Sequence, residues 1–388
     1  MREFVNKKAR QIPPSGIRKF FDIVAGTSGA ISLGVGEPDF ITPWKVRQAA
    51  IASLQRGLTQ YTGNRGLPTL LQLVSKYLAE RFALEYDPNR ILITVGGSEA
   101  IDLALRACIE SGDEVLIPDP AYVSYAPLVT LSDGVPVAVE CREEDRFVLK
   151  PDPLKRAITK KTKALILTYP NNPTGGIMTK DELQAVADVA IEYDLLVITD
   201  EIYAELTYGR KHASIASFPG LKERTVYIGG FSKAFAMTGW RLGFACAPKE
   251  VDEAMFKIHQ YGMLCAPITS QYAAIEALKD GFSDGFATVE QMRDEYDERR
   301  KFVLRSLREI GLTCFEPQGA FYAFPSVFSS GLNGEEFANA LLQRQKVAVV
   351  PGNAFGRFGA NNVRISYATG ISSLSEAFDR IGKFMTAL

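Results

Sequence analysis

Short apolar runs alternate with segments of helical period through the middle of this chain, and few folds accommodate that pattern. Residues 91–95 (ILITV) predict a strand that ends at Gly96-Gly97-Ser98. A helix follows, with Ala100, Ile101, Ala104, Leu105, Cys108 and Ile109 spaced for one apolar face, and Gly112 as its stop signal. Runs 114–117, 135–139 and 164–167 predict buried strands. Thr179-Lys180-Asp181-Glu182 fits a capping box for a helix reaching about residue 193. Runs 195–199, 225–228 and 242–245 predict further strands. Strands alternating with helices imply an α/β fold, a mostly parallel sheet covered on both faces. In such sheets ligands bind beyond the carboxyl ends of the strands.

After about residue 280 the texture changes. A long charged helix, 289–310, precedes alternating runs at 320–324, 347–350 and 363–367. This predicts a smaller α+β domain. The segment before residue 40 is expected to join it, because a short arm cannot bury its apolar residues alone. The expected division is a large domain, 40–282, and a small one built from 1–39 and 283–388. A length of 388 residues with 46% hydrophobic residues suits two such cores. The formal net charge of -1 points to neither nucleic acid nor an anionic membrane as partner. Any anionic ligand must be met by a few placed cations. Five dispersed cysteines and the absence of an apolar leader or membrane-length run fit a cytoplasmic protein with reduced thiols. The two histidines, His212 and His259, are far apart in sequence and offer no metal-ligand spacing.

The run GGFSKAFAMTGWR, 229–241, carries the first chemical signal. Lys233 follows a predicted strand among small and apolar residues. Most lysines are solvated surface groups, but one held here is desolvated, which lowers its pKa and makes it a nucleophile toward carbonyls. Arg241, eight residues on, can meet an anion with a bidentate fork. Asp200 ends the predicted strand 195–199 and precedes Glu201, Ile202 and Tyr203. Read alone, it fits a helix cap equally well. Asn172, in Pro170-Asn171-Asn172-Pro173-Thr174-Gly175, fits a plain turn. Gly96-Gly97-Ser98 makes a phosphate cradle or an ordinary tight turn. Arg364 alternates with Val363 and Ile365, so it leaves the apolar face of its strand, as a surface arginine on an edge strand also does.

Together these blocks resemble the fold-type I pyridoxal-phosphate (PLP) enzymes, specifically the class I and II aminotransferases. The likeness runs from Ser32-Leu33-Gly34-Val35-Gly36-Glu37-Pro38-Asp39 to Val363-Arg364-Ile365-Ser366-Tyr367, in the family's order and at similar spacing. It implies a seven-stranded, mostly parallel sheet between helices, with PLP as cofactor. It implies that Lys233 is the Schiff-base lysine and proton shuttle, and that Asp200 faces the pyridine nitrogen. Tyr203 and Asn172 then match the groups on the ring oxygen, and Gly97, Ser98, Ser232 and Arg241 the phosphate cup. Tyr122 matches the aromatic residue stacked on the ring, where many relatives have Trp or Phe. Tyr61 matches a tyrosine reaching the phosphate of a neighbouring subunit, which implies a homodimer with shared active sites. Arg364 matches the arginine gripping the substrate α-carboxylate, with a backbone contact from Gly36. Ile17 lies where relatives place an arm over the substrate.

The implied reaction is ping-pong exchange of an amino group between an L-amino acid and a 2-oxo acid, 2-oxoglutarate being the expected acceptor. The runs GIRKF, GEPDF and HQY look closest to the bacterial aromatic and diaminopimelate-type aminotransferases. No arginine is assignable to a distal carboxylate. Ile17, Phe20, Phe21 and Tyr122 would form an apolar wall favouring aromatic or other bulky side chains. A PLP-dependent carbon–sulfur β-lyase shares the same Lys, Asp and Arg. A PLP-binding transcription regulator would need an N-terminal DNA-binding domain, for which the match leaves no room.

Overall fold

The computed structural model describes residues 2–14, 17 and 26–388. Its strands, in chain order, are β1 (Ile31–Ser32), β2 (Ile91–Thr94), β3 (Glu114–Asp119), β4 (Val135–Glu140), β5 (Thr162–Thr168) and β6 (Leu196–Asp200). They continue with β7 (Thr225–Gly230), β8 (Gly243–Cys246), β9 (Tyr322–Ala323), β10 (Val347–Ala348), β11 (Val350–Pro351) and β12 (Val363–Ser366). Seven of them form the main sheet in the order β2-β8-β7-β6-β5-β3-β4. Only β8 runs antiparallel to its neighbours. The fold is therefore the α/β, fold-type I architecture, with each main-sheet strand within a few residues of its predicted run.

Alternation of side chains across the sheet explains why it needs helices on both faces. On β7, Val226 and Ile228 enter one core with Leu92, Ala100, Ile101 and Ala104, while Tyr227 enters the opposite core with Ile91, Ile93, Leu70 and Val74. On β5, Ala164 and Ile166 join the first core, and Leu165 and Leu167 face the helix Lys180–Glu192 through Leu183 and Val186. That helix begins with the expected capping box: Glu182 accepts the Thr179 N–H at 2.9 Å, and the Thr179 hydroxyl accepts the Glu182 N–H at 3.3 Å. The predicted helix after β2 spans Gly96–Cys108 and turns extended at Ile109, so Gly112 belongs to the turn into β3 and not to the helix end.

One strand departs from expectation. β4 was expected to be buried, yet Val135, Pro136 and Ala138 are exposed. It is the outer strand of the sheet, paired only with β3, so one of its edges and much of its face meet solvent. A proline is tolerated there because an edge strand does not need every N–H.

The C-terminal part contains the antiparallel sheet β11-β12-β9, the long helix Ala287–Glu309 and the helices Gly334–Gln345 and Ile371–Thr386. The N-terminal segment joins it: β1 pairs in parallel with β10, Ile31 opposite Val347. Asp39 then meets the long helix, receiving Arg299 Nη1 at 2.9 and 2.8 Å, while Phe40 packs edge-on against Tyr296. No helix among the described residues is long and apolar enough to cross a membrane. Arg299 is buried, so Arg299→Ala leaves Asp39 without its cation. The substitution is expected to cost about 1–3 kcal/mol in denaturant unfolding. A loss below about 0.3 kcal/mol would show that the tie is not structural.

Candidate active site

All the parallel strands of the main sheet end along one edge, where a cavity of about 490 Å³ opens. At its floor, β2 turns into the helix Gly96–Cys108, with Gly96 at φ +74°. A Cβ on Gly96 would lie 2.8 Å from Arg241 Nη2, and one on Gly243 would lie 2.7 Å from the backbone of Gly96 and Gly97. Only glycine lets the helix terminus, the arginine and β8 come this close. Arg241 itself holds φ +50°, a left-handed conformation that costs a non-glycine residue energy and that functional sites tend to retain. The helix N-terminus, Ser98, Ser232 and the Arg241 guanidinium thus converge as donors around one place. A phosphate dianion fits that donor set.

Lys233 stands in the loop after β7. Its Nζ donates to the Gly36 carbonyl at 2.7 Å, and desolvation, opposed by Glu37, lowers its pKa to about 8. Asp200 closes β6 and is buried. Its Oδ2 accepts the Tyr125 hydroxyl at 2.8 Å and its Oδ1 the Ile202 N–H at 3.3 Å, while burial pushes its pKa upward. A desolvated carboxylate facing a cavity without a bonded cation is suited to a protonated ring nitrogen. Tyr203 is buried beside it, with its ring 5.6 Å from Lys233 Nζ. The donors, the amine and the carboxylate together fit PLP.

Arg364, on β12, is buried and not a surface group. Its Nη1 donates to Asn172 Oδ1 at 2.8 Å and its Nη2 to the Gly34 carbonyl at 2.6 Å. Its Nε is buried with no hydrogen-bond partner among the described residues. The guanidinium also lies against the rings of Tyr322, at 4.5 Å, and Phe355, at 4.8 Å. Arg364 lines the cavity, and a guanidinium held in place there is suited to a carboxylate.

Of the residues singled out from sequence, the cavity gathers Lys233, Asp200, Tyr203, Asn172, Arg241 and Arg364 with Gly97, Ser98, Ser232, Tyr122, Gly36 and Ile17. Tyr61 does not line it and is 82% exposed. Phe20 and Phe21 lie outside the described residues. Sequence reasoning missed Tyr125, Thr168, Tyr322, Glu37 and Thr238, which also line the cavity. Tyr125 lies three residues after Tyr122 and Tyr322 in the alternating run 320–324, and neither carries a charge or motif that sets it apart from core. Glu37 and Thr238 lie within recognised motifs, but their mutual hydrogen bond, 2.9 Å, has no sequence signal.

A family model described as aminotransferase class I and II matches residues 28–381. The chain belongs to this family. It is 52% identical over 386 residues to a putative aminotransferase, YugH, of Bacillus subtilis (strain 168), covering 99% of both chains. It is 49% identical to an aspartate aminotransferase of Pyrococcus abyssi, covering 96% of both. Among solved structures, an aromatic aminotransferase from Pyrococcus horikoshii OT3 superposes with a TM-score of 0.91 at 45% identity, covering 96% of this chain and 99% of that one. The protein is thus a PLP-dependent aminotransferase, acting on amino acids and 2-oxo acids.

The lowered Lys233 pKa has a measurable consequence. The amine is protonated below about pH 8 and nucleophilic above it. Attachment of PLP to the apoprotein, followed by its visible absorbance, is expected to speed up with pH and level off above about pH 9. A rate that keeps climbing through pH 10.5 would contradict a desolvated lysine.

Proposed function

We propose that this aminotransferase prefers L-amino acids with aromatic or other bulky, uncharged side chains and passes the amino group to a 2-oxo acid, 2-oxoglutarate being the natural candidate. One observation carries the preference. Among the described residues lining the cavity, the only cations are Lys233, Arg241 and Arg364, and each has a duty toward the cofactor or the α-carboxylate. Among the described residues no fourth cation remains for a distal carboxylate, and Glu37 in the same wall disfavours one. Ile17 and Tyr122 supply apolar surface instead.

PLP, when bound, supplies a protonated ring that accepts the electrons released at the substrate α-carbon. In this proposal Asp200 keeps the ring nitrogen protonated, and its own burial makes that pairing strong. Arg364 grips the α-carboxylate, aided by the backbone of Gly36, and thereby orients the Cα–H. Lys233, with a pKa near 8, takes that proton at Nζ as general base and would hand it on to the cofactor carbon within the same half of the exchange, the second half running the same transfer in reverse. Asn172, whose Oδ1 is held by Arg364, offers its Nδ2 to the ring oxygen beside Tyr203. Gly97, Ser98, Ser232 and Arg241 hold the phosphate, and Tyr122 stacks on the ring. We further propose that residues 40–282 form the cofactor domain and that 1–39 and 283–388 form the smaller one. Tyr61, exposed and outside its own cavity, reaches the phosphate of a second copy in a homodimer.

Three outcomes are expected. Lys233→Ala loses both turnover and the visible absorbance of lysine-attached cofactor; a variant keeping both would end the mechanism. In an activity matrix, kcat/KM for phenylalanine or tyrosine exceeds that for aspartate by at least about 10-fold, the scale set by a charge without a partner; a ratio favouring aspartate would reverse the assignment of substrate. Sedimentation shows a dimer, and Tyr61→Phe weakens cofactor binding several-fold; a fully active monomer would refute the shared site.

A further inference from the structure

Tyr322 is wholly buried on β9 and belongs to no motif. Its hydroxyl lies 2.8 Å from the hydroxyl of Tyr203. Its ring centroid is 4.5 Å from the Arg364 guanidinium carbon. A Cβ on Gly36 would sit 2.7 Å from the same hydroxyl, so the phenol rests on the residue whose carbonyl receives Lys233. The pairing of β9 with β12, Tyr322 opposite Ser366, keeps the phenol two residues from Arg364 on the neighbouring strand. One side chain therefore touches the proposed carboxylate grip, the proposed ring-oxygen donor and the backbone under the lysine.

We infer that Tyr322 is a positioning residue that joins substrate recognition to the cofactor's ring oxygen: its ring backs the Arg364 guanidinium, and its hydroxyl orients that of Tyr203. This rests on the site reading proposed above. Two facing phenols share one hydrogen between their oxygens, which leaves one O–H to point elsewhere. With Tyr322 donating to Tyr203, the Tyr203 proton is free for the cofactor oxygen. Removing the Tyr322 hydroxyl takes away that constraint and lets the Tyr203 hydroxyl rotate. Removing the ring also takes away the nearer of the two flat surfaces against Arg364, which keeps its two hydrogen bonds and the Phe355 contact but is held less firmly in its plane. The two functions can therefore be separated by substitution. The other ionisable groups facing the pair are Arg364, Tyr122 and Glu37, with Lys233 beyond the Tyr203 ring and Asp200 in the same cavity.

The experiment compares PLP-loaded parent, Tyr322→Phe, Tyr322→Leu, Tyr203→Phe and the Tyr203→Phe/Tyr322→Phe double variant. The first readout is the pH titration of the visible absorbance of bound cofactor. Tyr322→Phe is expected to move its midpoint by at least about half a unit, roughly 3-fold in the proton equilibrium, and to add nothing further in the Tyr203→Phe background. The second readout is the dissociation constant of an unreactive α-methyl amino acid. It should stay within about 2-fold in Tyr322→Phe and weaken by about 5-fold in Tyr322→Leu. An unchanged midpoint in Tyr322→Phe, or shifts that add fully in the double variant, would overturn the inference. If Tyr322→Leu does not fold, the titration of Tyr322→Phe decides alone. A parent that gains no visible absorbance from PLP sinks the cofactor reading and this inference together; a parent that gains it beside an unaltered Tyr322→Phe sinks only this one.

Discussion

A carboxylate taken out of water at the end of a central strand sets the terms for the rest of the site. Asp200 is buried, and burial raises its pKa. Two hydrogen bonds, from Tyr125 and the Ile202 backbone, hold it in place, and among the described residues no salt bridge reaches it. Left alone, such a group destabilises the fold. It is tolerable where a cation arrives to face it, and in the proposed reading the cofactor's ring nitrogen is that cation. The surroundings follow from this need. β6 lies in the middle of the sheet, so its carboxyl end is rigid and dry. The proposed phosphate donors lie on the helix after β2 and in the β7–β8 loop, one side of the same edge, so the cofactor would have a fixed distance to span.

The short stretch from β1 to Asp39 ties the C-terminal part to this edge. Leu33 is buried in the core, and its carbonyl accepts the Ser366 N–H at 2.7 Å. The Gly34 carbonyl holds Arg364, the Gly36 carbonyl holds Lys233, Glu37 accepts Thr238, and Asp39 meets Arg299. Residues 34, 36, 37 and 39 thus tie down the proposed carboxylate grip, the proposed reactive amine, the loop after β7 and the long C-terminal helix. The core is continuous as well: Leu116 and Val197 of the main sheet share one cluster with Val347, Leu374 and Phe384. A displacement of the C-terminal part relative to the sheet would pass through these backbone carbonyls to Lys233 and Arg364 together.

The sheet was legible from sequence because its strands are short apolar runs set between helical periods. The position of each strand in the sheet was not, which is why β4 read as buried: an apolar run looks the same at an edge as at the centre. Lys233, Asp200, Arg241 and Arg364 were visible as charged residues among apolar or glycine-rich flanks, although only the resemblance gave them roles. Tyr125 and Tyr322 did not stand out. A tyrosine has no charge to set it apart from core, and its function lies in a hydroxyl whose partner, Asp200 or Tyr203, is 75 or 119 residues away. The Glu37–Thr238 contact is hidden for the same reason. Substrate preference depends on which cations the fold gathers at the cavity, and no local run of the sequence carries that.

The account stands or falls on the pairing of Asp200 with the cofactor ring. The most direct test is the ¹⁵N resonance of ring-labelled pyridoxal phosphate bound to the parent and to Asp200→Asn. The account predicts a protonated ring nitrogen in the parent and a neutral one in the variant, with cofactor still bound and turnover lower by about 10²–10³-fold. A ring nitrogen that stays protonated in Asp200→Asn, with turnover near that of the parent, would contradict it.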